Sequence, residues 1–151
     1  MLKIGQTRGV DITADVDLAA SRKVVHAFLA DLAHYPEWLS IVPKAVSDGD
    51  DCWQVELRAK VGPLARSKQL RMKKVVDTDT HIRFEREELD GRSHSAWVLD
   101  VALSEPNPTT VRVEMRLHYS GSFAGGIVER LLAQEIENSK TRLRQKVEVA
   151  S

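Results

Sequence analysis

An α+β fold is predicted for this chain: a curved seven-stranded antiparallel sheet wrapped around a long C-terminal helix, with two short helices after the first strand. Three observations predict it. Val10, Ile12, Ala14, Val16 and Leu18 alternate with polar residues, which is the period of a half-buried strand. Six further strand-like stretches follow with only short turn-forming separators, as antiparallel neighbours require. From about Phe123 to Val149 the period changes to that of an amphipathic helix. A length of 151 residues suits a single domain spanning 1–151.

After the first strand, Ser21 is placed to cap a helix in which Val24, Val25, Phe28, Leu29 and Leu32 recur at helical spacing. The stretch Asp31 to Val46 is too apolar for a surface connection: Tyr35, Trp38, Leu39, Ile41 and Val42 all need cover. Pro36 and Pro43 break it, so it reads as a short lid-like helix over the mouth of the sheet. The remaining strands are expected at about 42–47, 52–61, 67–76, 81–89, 93–103 and 110–120. Asp48-Gly49-Asp50, Gly62-Pro63, Asp77-Thr78-Asp79, Asp90-Gly91 and Glu105-Pro106-Asn107-Pro108 separate them. On the last helix, Val128, Leu131, Leu132, Ile136, Ser139, Leu143 and Val147 form one stripe. Gly121, Gly125 and Gly126 precede it and read as a tight strand-to-helix turn, because no Gly-Lys-Ser/Thr phosphate loop follows.

Asp90-Gly91 is a strong signal for a two-residue hairpin turn. That turn places Arg86 opposite Ser95, Phe84 opposite Trp97 and Ile82 opposite Leu99 on one face. On the other face it places Glu87 opposite His94 and His81 opposite Asp100. A one-residue slip would exchange the faces. The inner face then grades from apolar, far from the turn, to polar at Arg86, Glu88, Ser93 and Ser95. A strongly curved sheet crossed by one helix leaves room that these side chains do not fill, and this room is a candidate pocket. Its expected wall is Val55, Leu57, Leu70, Met72, Phe84, Trp97, Leu99, Met115, Leu117 and Leu131. Trp38 and Leu39 are the expected lid.

Lys plus Arg and Asp plus Glu are both 22, so the net charge is zero. That balance argues against nucleic acid as a partner. Cys52 stands alone, which excludes an internal disulfide and a multi-cysteine metal site. No apolar run approaches the roughly 18 residues of a membrane span, and Met1 to Val10 lacks the apolar core of a signal peptide. The expected address is cytoplasmic. Peripheral contact with a membrane and the oligomeric state stay open.

Asp31-Leu-Ala-His-Tyr-Pro-Glu-Trp-Leu and Val61-Gly-Pro-Leu-Ala-Arg-Ser-Lys, set in this element order, carry a resemblance. The chain resembles the START and polyketide-cyclase (SRPBCC) superfamily, in particular its bacterial cyclase/dehydrase-like and coenzyme-Q-binding members. The resemblance runs from about Val10 to Val147 and implies the helix-grip fold. It implies binding of a hydrophobic small molecule such as a lipid, polyketide or quinone. The superfamily also holds aromatase/cyclases or dehydratases and modules that modulate larger complexes. No catalytic motif carries over, and no cofactor or metal is expected.

Among the polar residues, Arg86, Ser95 and Tyr119 are candidate anchors for a ligand oxygen. Arg86 and Glu88, joined by Lys68, equally suit an internal salt bridge, since inward charges need partners. His94 and His118 share the solvent side, where a two-histidine metal site would lack a closed ligand set and a solvated face is the simpler reading. No serine, histidine and acid arrangement is visible.

Overall fold

The alternation from Val10 to Leu18 becomes the first strand, β1 (Val10–Leu18). The computed structural model describes residues 9–61, 63–120 and 126–150. Ser21 caps α1 (Arg22–Leu29), its side chain accepting from the Val24 amide, and a 3₁₀ turn follows at Leu32–Glu37. Strands β2 (Lys44–Ser47), β3 (Cys52–Val61), β4 (Leu64–Asp77), β5 (His81–Arg86), β6 (Trp97–Asn107) and β7 (Thr110–Tyr119) form a meander, and α2 (Gly126–Ala150) follows it. The expected helix start at Phe123, Gly121, Gly125 and the Gly62 turn position fall outside the described residues.

The sheet order is β1-β7-β6-β5-β4-β3-β2. It is the curved antiparallel sheet with a C-terminal helix that defines the helix-grip fold. β1 lies against β7, with Val10 opposite Tyr119 and Leu18 opposite Val111, so the first strand extends the sheet after the last one is made. The core lies between the concave face and α2. Leu132, Leu143 and Val147 are buried along one stripe of the helix, and Ile136 is half-buried. Ser139 is fully buried in that stripe, and its Oγ donates to the Glu135 carbonyl at 2.7 Å, which satisfies a hydroxyl that would otherwise be costly there. Among the described residues, no helix is long and apolar enough to cross a membrane.

Three local expectations need correction. The β5–β6 register differs by two residues from that of a two-residue Asp90-Gly91 turn: Phe84 faces Leu99 and Ile82 faces Val101. Gly91 does take a positive φ of 72°. Asp90, however, spends its side chain locally, accepting from the Arg92 amide at 3.0 Å and meeting His94 Nε2 at 2.9 Å. Beyond Arg86 the two strands part. The Glu87 amide donates to Arg71 on β4, whereas Ala96 accepts from Ser120 just past β7. Because the shift is even, every side chain keeps its expected face.

The second correction concerns Glu105-Pro106-Asn107-Pro108. β6 continues through it to Asn107, with a register break between Ser104 and Asn107, and the turn is only Pro108-Thr109. Pro106 lies in that irregularity, past the last β5 pair of His81 with Ala102, where a missing N–H breaks no ladder with β5. Third, β2 begins at Lys44 rather than Val42. The Ile41 carbonyl instead accepts from the Arg58 amide at 2.9 Å.

Candidate functional site

The segment expected as a lid is fixed by polar groups at its ends. Asp31 Oδ1 accepts from the Ala33 amide at 2.9 Å and from Trp53 Nε1 at 3.0 Å, which caps the 3₁₀ turn and ties it to β3. Pro36 lies inside the turn. The buried Tyr35 hydroxyl donates to the Leu29 carbonyl at 2.9 Å, and burial pushes its ionisation far above the phenolic range. The Trp38 carbonyl accepts from Arg142 Nε at 3.0 Å, and Ser40 Oγ donates to Glu135 at 2.7 Å. The segment is therefore joined to α2 at two points. Trp38 is only 3% exposed.

Beneath it lies a cavity with about 90 Å³ of room for the centre of a water molecule. Its wall is wholly apolar. Val55, Leu57, Leu70 and Met72 supply one side, and Trp97, Leu99, Met115 and Leu117 the other. Trp38 and Leu39 close it together with Tyr35. Ile12 and Ala14 of β1 also line it, as do Leu132 and Ile136 of α2. These four were legible as inward-facing residues, but the place of Ile12 and Ala14 on the wall depends on β1 joining β7. An apolar space of this kind does not hold water well, because water there finds no polar partners.

Five expected site residues are not on this wall. Phe84 is fully buried behind it, edge-on to Tyr35 at 6.3 Å and to Trp53 at 5.6 Å. Tyr119 stacks on Trp97 with ring centroids 4.4 Å apart and is likewise buried. Leu131 sits one position from Leu132 and lines an outer groove with Ser40, Ile41, Ala59 and Glu135. Ile41 and Leu132 line both spaces, so the groove abuts the cavity.

Arg86 and Ser95 do meet, but across the gap where β5 and β6 part. Arg86 donates from one terminal nitrogen to the Ser95 carbonyl and hydroxyl, each at 3.2 Å. Its Nε lies 2.8 Å from Glu88 Oε2. Burial raises the Glu88 carboxyl, but the Arg86 hydrogen bond, the Arg71 amide and the Arg86 charge outweigh it and hold the group below the usual carboxylate range. Lys68 does not join this pair among the described residues. It stands opposite Leu57, four positions from Met72, the partner of Arg86.

Each histidine on the outer surface has a carboxylate of its own. His81 meets Asp100 at 2.8 Å, His94 meets Asp90 rather than Glu87, and His118 meets Asp11 at 3.1 Å. His26, which offered no partner in sequence, meets Asp77 at 2.7 Å. Among the described residues, no group of three or more His, Cys, Asp or Glu is placed to hold a metal. No pattern in the sequence pointed to Arg71. Although 9% exposed, it donates to Asp48 at 3.0 Å and to the Glu87 carbonyl at 3.2 Å. Those partners are distant in sequence, which is why neither spacing nor parity pointed to them.

Residues 9–148 match a family described as polyketide cyclase / dehydrase and lipid transport. No curated protein matches the chain. Among solved structures, a START superfamily protein from Mycobacterium smegmatis is similar at a TM-score of 0.69 and 15% identity, covering 93% of this chain and 99% of its own. A Deinococcus radiodurans protein has the same TM-score and identity, covering 94% of this chain and 100% of its own. The Zhui aromatase/cyclase from Streptomyces sp. R1128 has a TM-score of 0.59 at 13% identity, covering 93% of this chain and 94% of its own. At these identities the likeness is one of fold.

Proposed function

The chain belongs to the polyketide cyclase / dehydrase and lipid transport family, and from that premise we propose that it binds a hydrophobic small molecule in the cavity between sheet and α2. A lipid, polyketide or quinone-like compound fits this reading. The observation that carries it is the cavity wall, which is apolar throughout and lies under a segment pinned to α2. Burying an apolar ligand there removes its surface from water.

Cyclase or dehydratase chemistry needs a group that polarises a carbonyl or moves a proton at the reacting atom. The candidate anchors for a ligand oxygen, Arg86, Ser95 and Tyr119, are not on the wall. Binding is accordingly preferred to turnover. A role as a protein-interaction module would call for an exposed aromatic patch near Trp38, which is instead buried.

Native mass spectrometry of protein purified from its own host tests the proposal. The expected result is a retained small-molecule mass that is lost on gentle denaturation. Bare chain alone, together with no saturable uptake of an apolar probe, would overturn it.

A further inference from the structure

The face that walls the cavity changes character along β3 and β4. Leu57 and Leu70 line the cavity. Residues two apart on a strand share a face, so the next positions on this face of β4 are Lys68 and then Arg66. Lys68 stands directly opposite Leu57, and Arg66 directly opposite the buried Ala59. Ala59 in turn lines the groove that abuts the cavity through Ile41 and Leu132, and Arg58 and Lys60 line that groove with it. The strand face that carries Leu57 and Leu70 therefore passes from apolar to cationic at Lys68 and Arg66, and the cations that line the groove itself are Arg58 and Lys60.

Residues 58–68 contain four cationic side chains and no carboxylate, in a chain whose net charge is zero. None of the four forms an ion pair among the described residues; the polar contact of Arg58 is a long one, 3.5 Å to Ser67 Oγ. Of the nearby acids, Glu56 has the strand parity of Arg58 and Lys60, not that of Lys68 and Arg66. Glu135, on the groove, accepts from Ser40, and Glu56 lies opposite Lys44 on the β2 side. Lys68 is half-buried, and a half-buried charge without a counter-charge gains from an external anion.

We propose that this end of the cavity receives the anionic head group, a carboxylate or phosphate, of an amphiphile whose hydrocarbon part occupies the cavity. The inference rests on the hydrophobic-ligand reading and adds a charge requirement to it. Arg66 supplies a planar donor fork and Lys68 a compact charge, both suited to such oxygens. A free amphiphile and a lipid still in a bilayer present the same oxygens.

The test is displacement of the neutral dye N-phenyl-1-naphthylamine by dodecanoate, dodecyl phosphate and dodecanol, all below their micelle concentrations. Both anions are expected to displace the dye at concentrations at least about tenfold lower than dodecanol, as one charge-assisted hydrogen bond would give. Arg66→Gln combined with Lys68→Gln brings that ratio close to one, whereas Lys68→Arg keeps it. Equal displacement by all three in the unaltered protein overturns this inference while leaving the cavity reading intact. Failure of the dye and of all three to bind overturns the cavity reading itself. Sedimentation with phosphatidylglycerol vesicles but not phosphatidylcholine vesicles identifies the bilayer as the source; no sedimentation with either, alongside the tenfold ratio, identifies a free amphiphile.

Discussion

Arg86 and Glu88 form an ion pair, Nε to Oε2 2.8 Å, with side chains 10% and 19% exposed. The pair sits at the end of β5, where β5 and β6 part, and does not line the cavity. Its role is to satisfy strand ends that have left one another: Glu88 also accepts from the Arg71 amide at 3.1 Å, and Arg86 reaches Ser95.

Arg86→Leu is expected to destabilise the fold by about 2–3 kcal/mol, because it strands a largely buried carboxylate. It is expected to leave the affinity for a neutral apolar probe within about twofold, a change well under 1 kcal/mol. Urea unfolding and dye titration of the same variant check both halves.

The pair also predicts a pH dependence. The folded Glu88 carboxyl lies below its ordinary value, so its stabilisation is complete above about pH 4.3, the unfolded value, and is lost as pH falls through the folded value. The stability difference between the native sequence and Glu88→Gln should therefore be largest near neutral pH and shrink below about pH 4. Unfolding midpoints followed from pH 7 to pH 3 measure it.

Arg142 links the lid segment to α2, donating to the Trp38 carbonyl at 3.0 Å and to Ser139 Oγ at 3.1 Å. Arg142→Ala should cost about 1–2 kcal/mol, the range for losing such bonds. It should also accelerate hydrogen exchange at the Trp38 and Leu39 amides, which donate to the Tyr35 carbonyl. Acceleration confined to α2 would contradict the link.

Leu70 is 3% exposed and lies on the cavity wall. Leu70→Ala should destabilise by about 2–4 kcal/mol, since the space it leaves joins an existing void rather than collapsing. The same variant should accept a bulkier apolar probe than the native sequence, read by dye titration.

Much of the fold was legible because strand parity is robust. Ile82, Phe84, Trp97 and Leu99 kept their inward face although the β5–β6 register moved by two residues. The register itself was not legible: whether Asp90 closes a tight turn or serves Arg92 and His94 is decided by where Glu87 and Ala96 find partners, on β4 and beyond β7. Pro106 reads as a loop residue in sequence for the same reason, since a bulge tolerates proline where a regular ladder does not. At the site, hydrophobic spacing located Leu57, Leu70 and Leu117 but did not distinguish wall from packed core at Phe84, because Tyr35 and Trp53 cover it only in three dimensions. Arg71 and the cations at 58–68, which form no ion pair among the described residues, became visible once β3 and β4 were placed side by side.

Uptake of a hydrophobic molecule by the apolar cavity requires the room that Ala14→Leu takes away. Ala14 lines the cavity from β1, opposite Met115. The larger side chain fills the space that a ligand would use. Titration with N-phenyl-1-naphthylamine should saturate in the native sequence and weaken at least about tenfold in the variant, with the melting temperature unchanged or raised. Equal binding by both proteins would place the dye elsewhere and contradict the account.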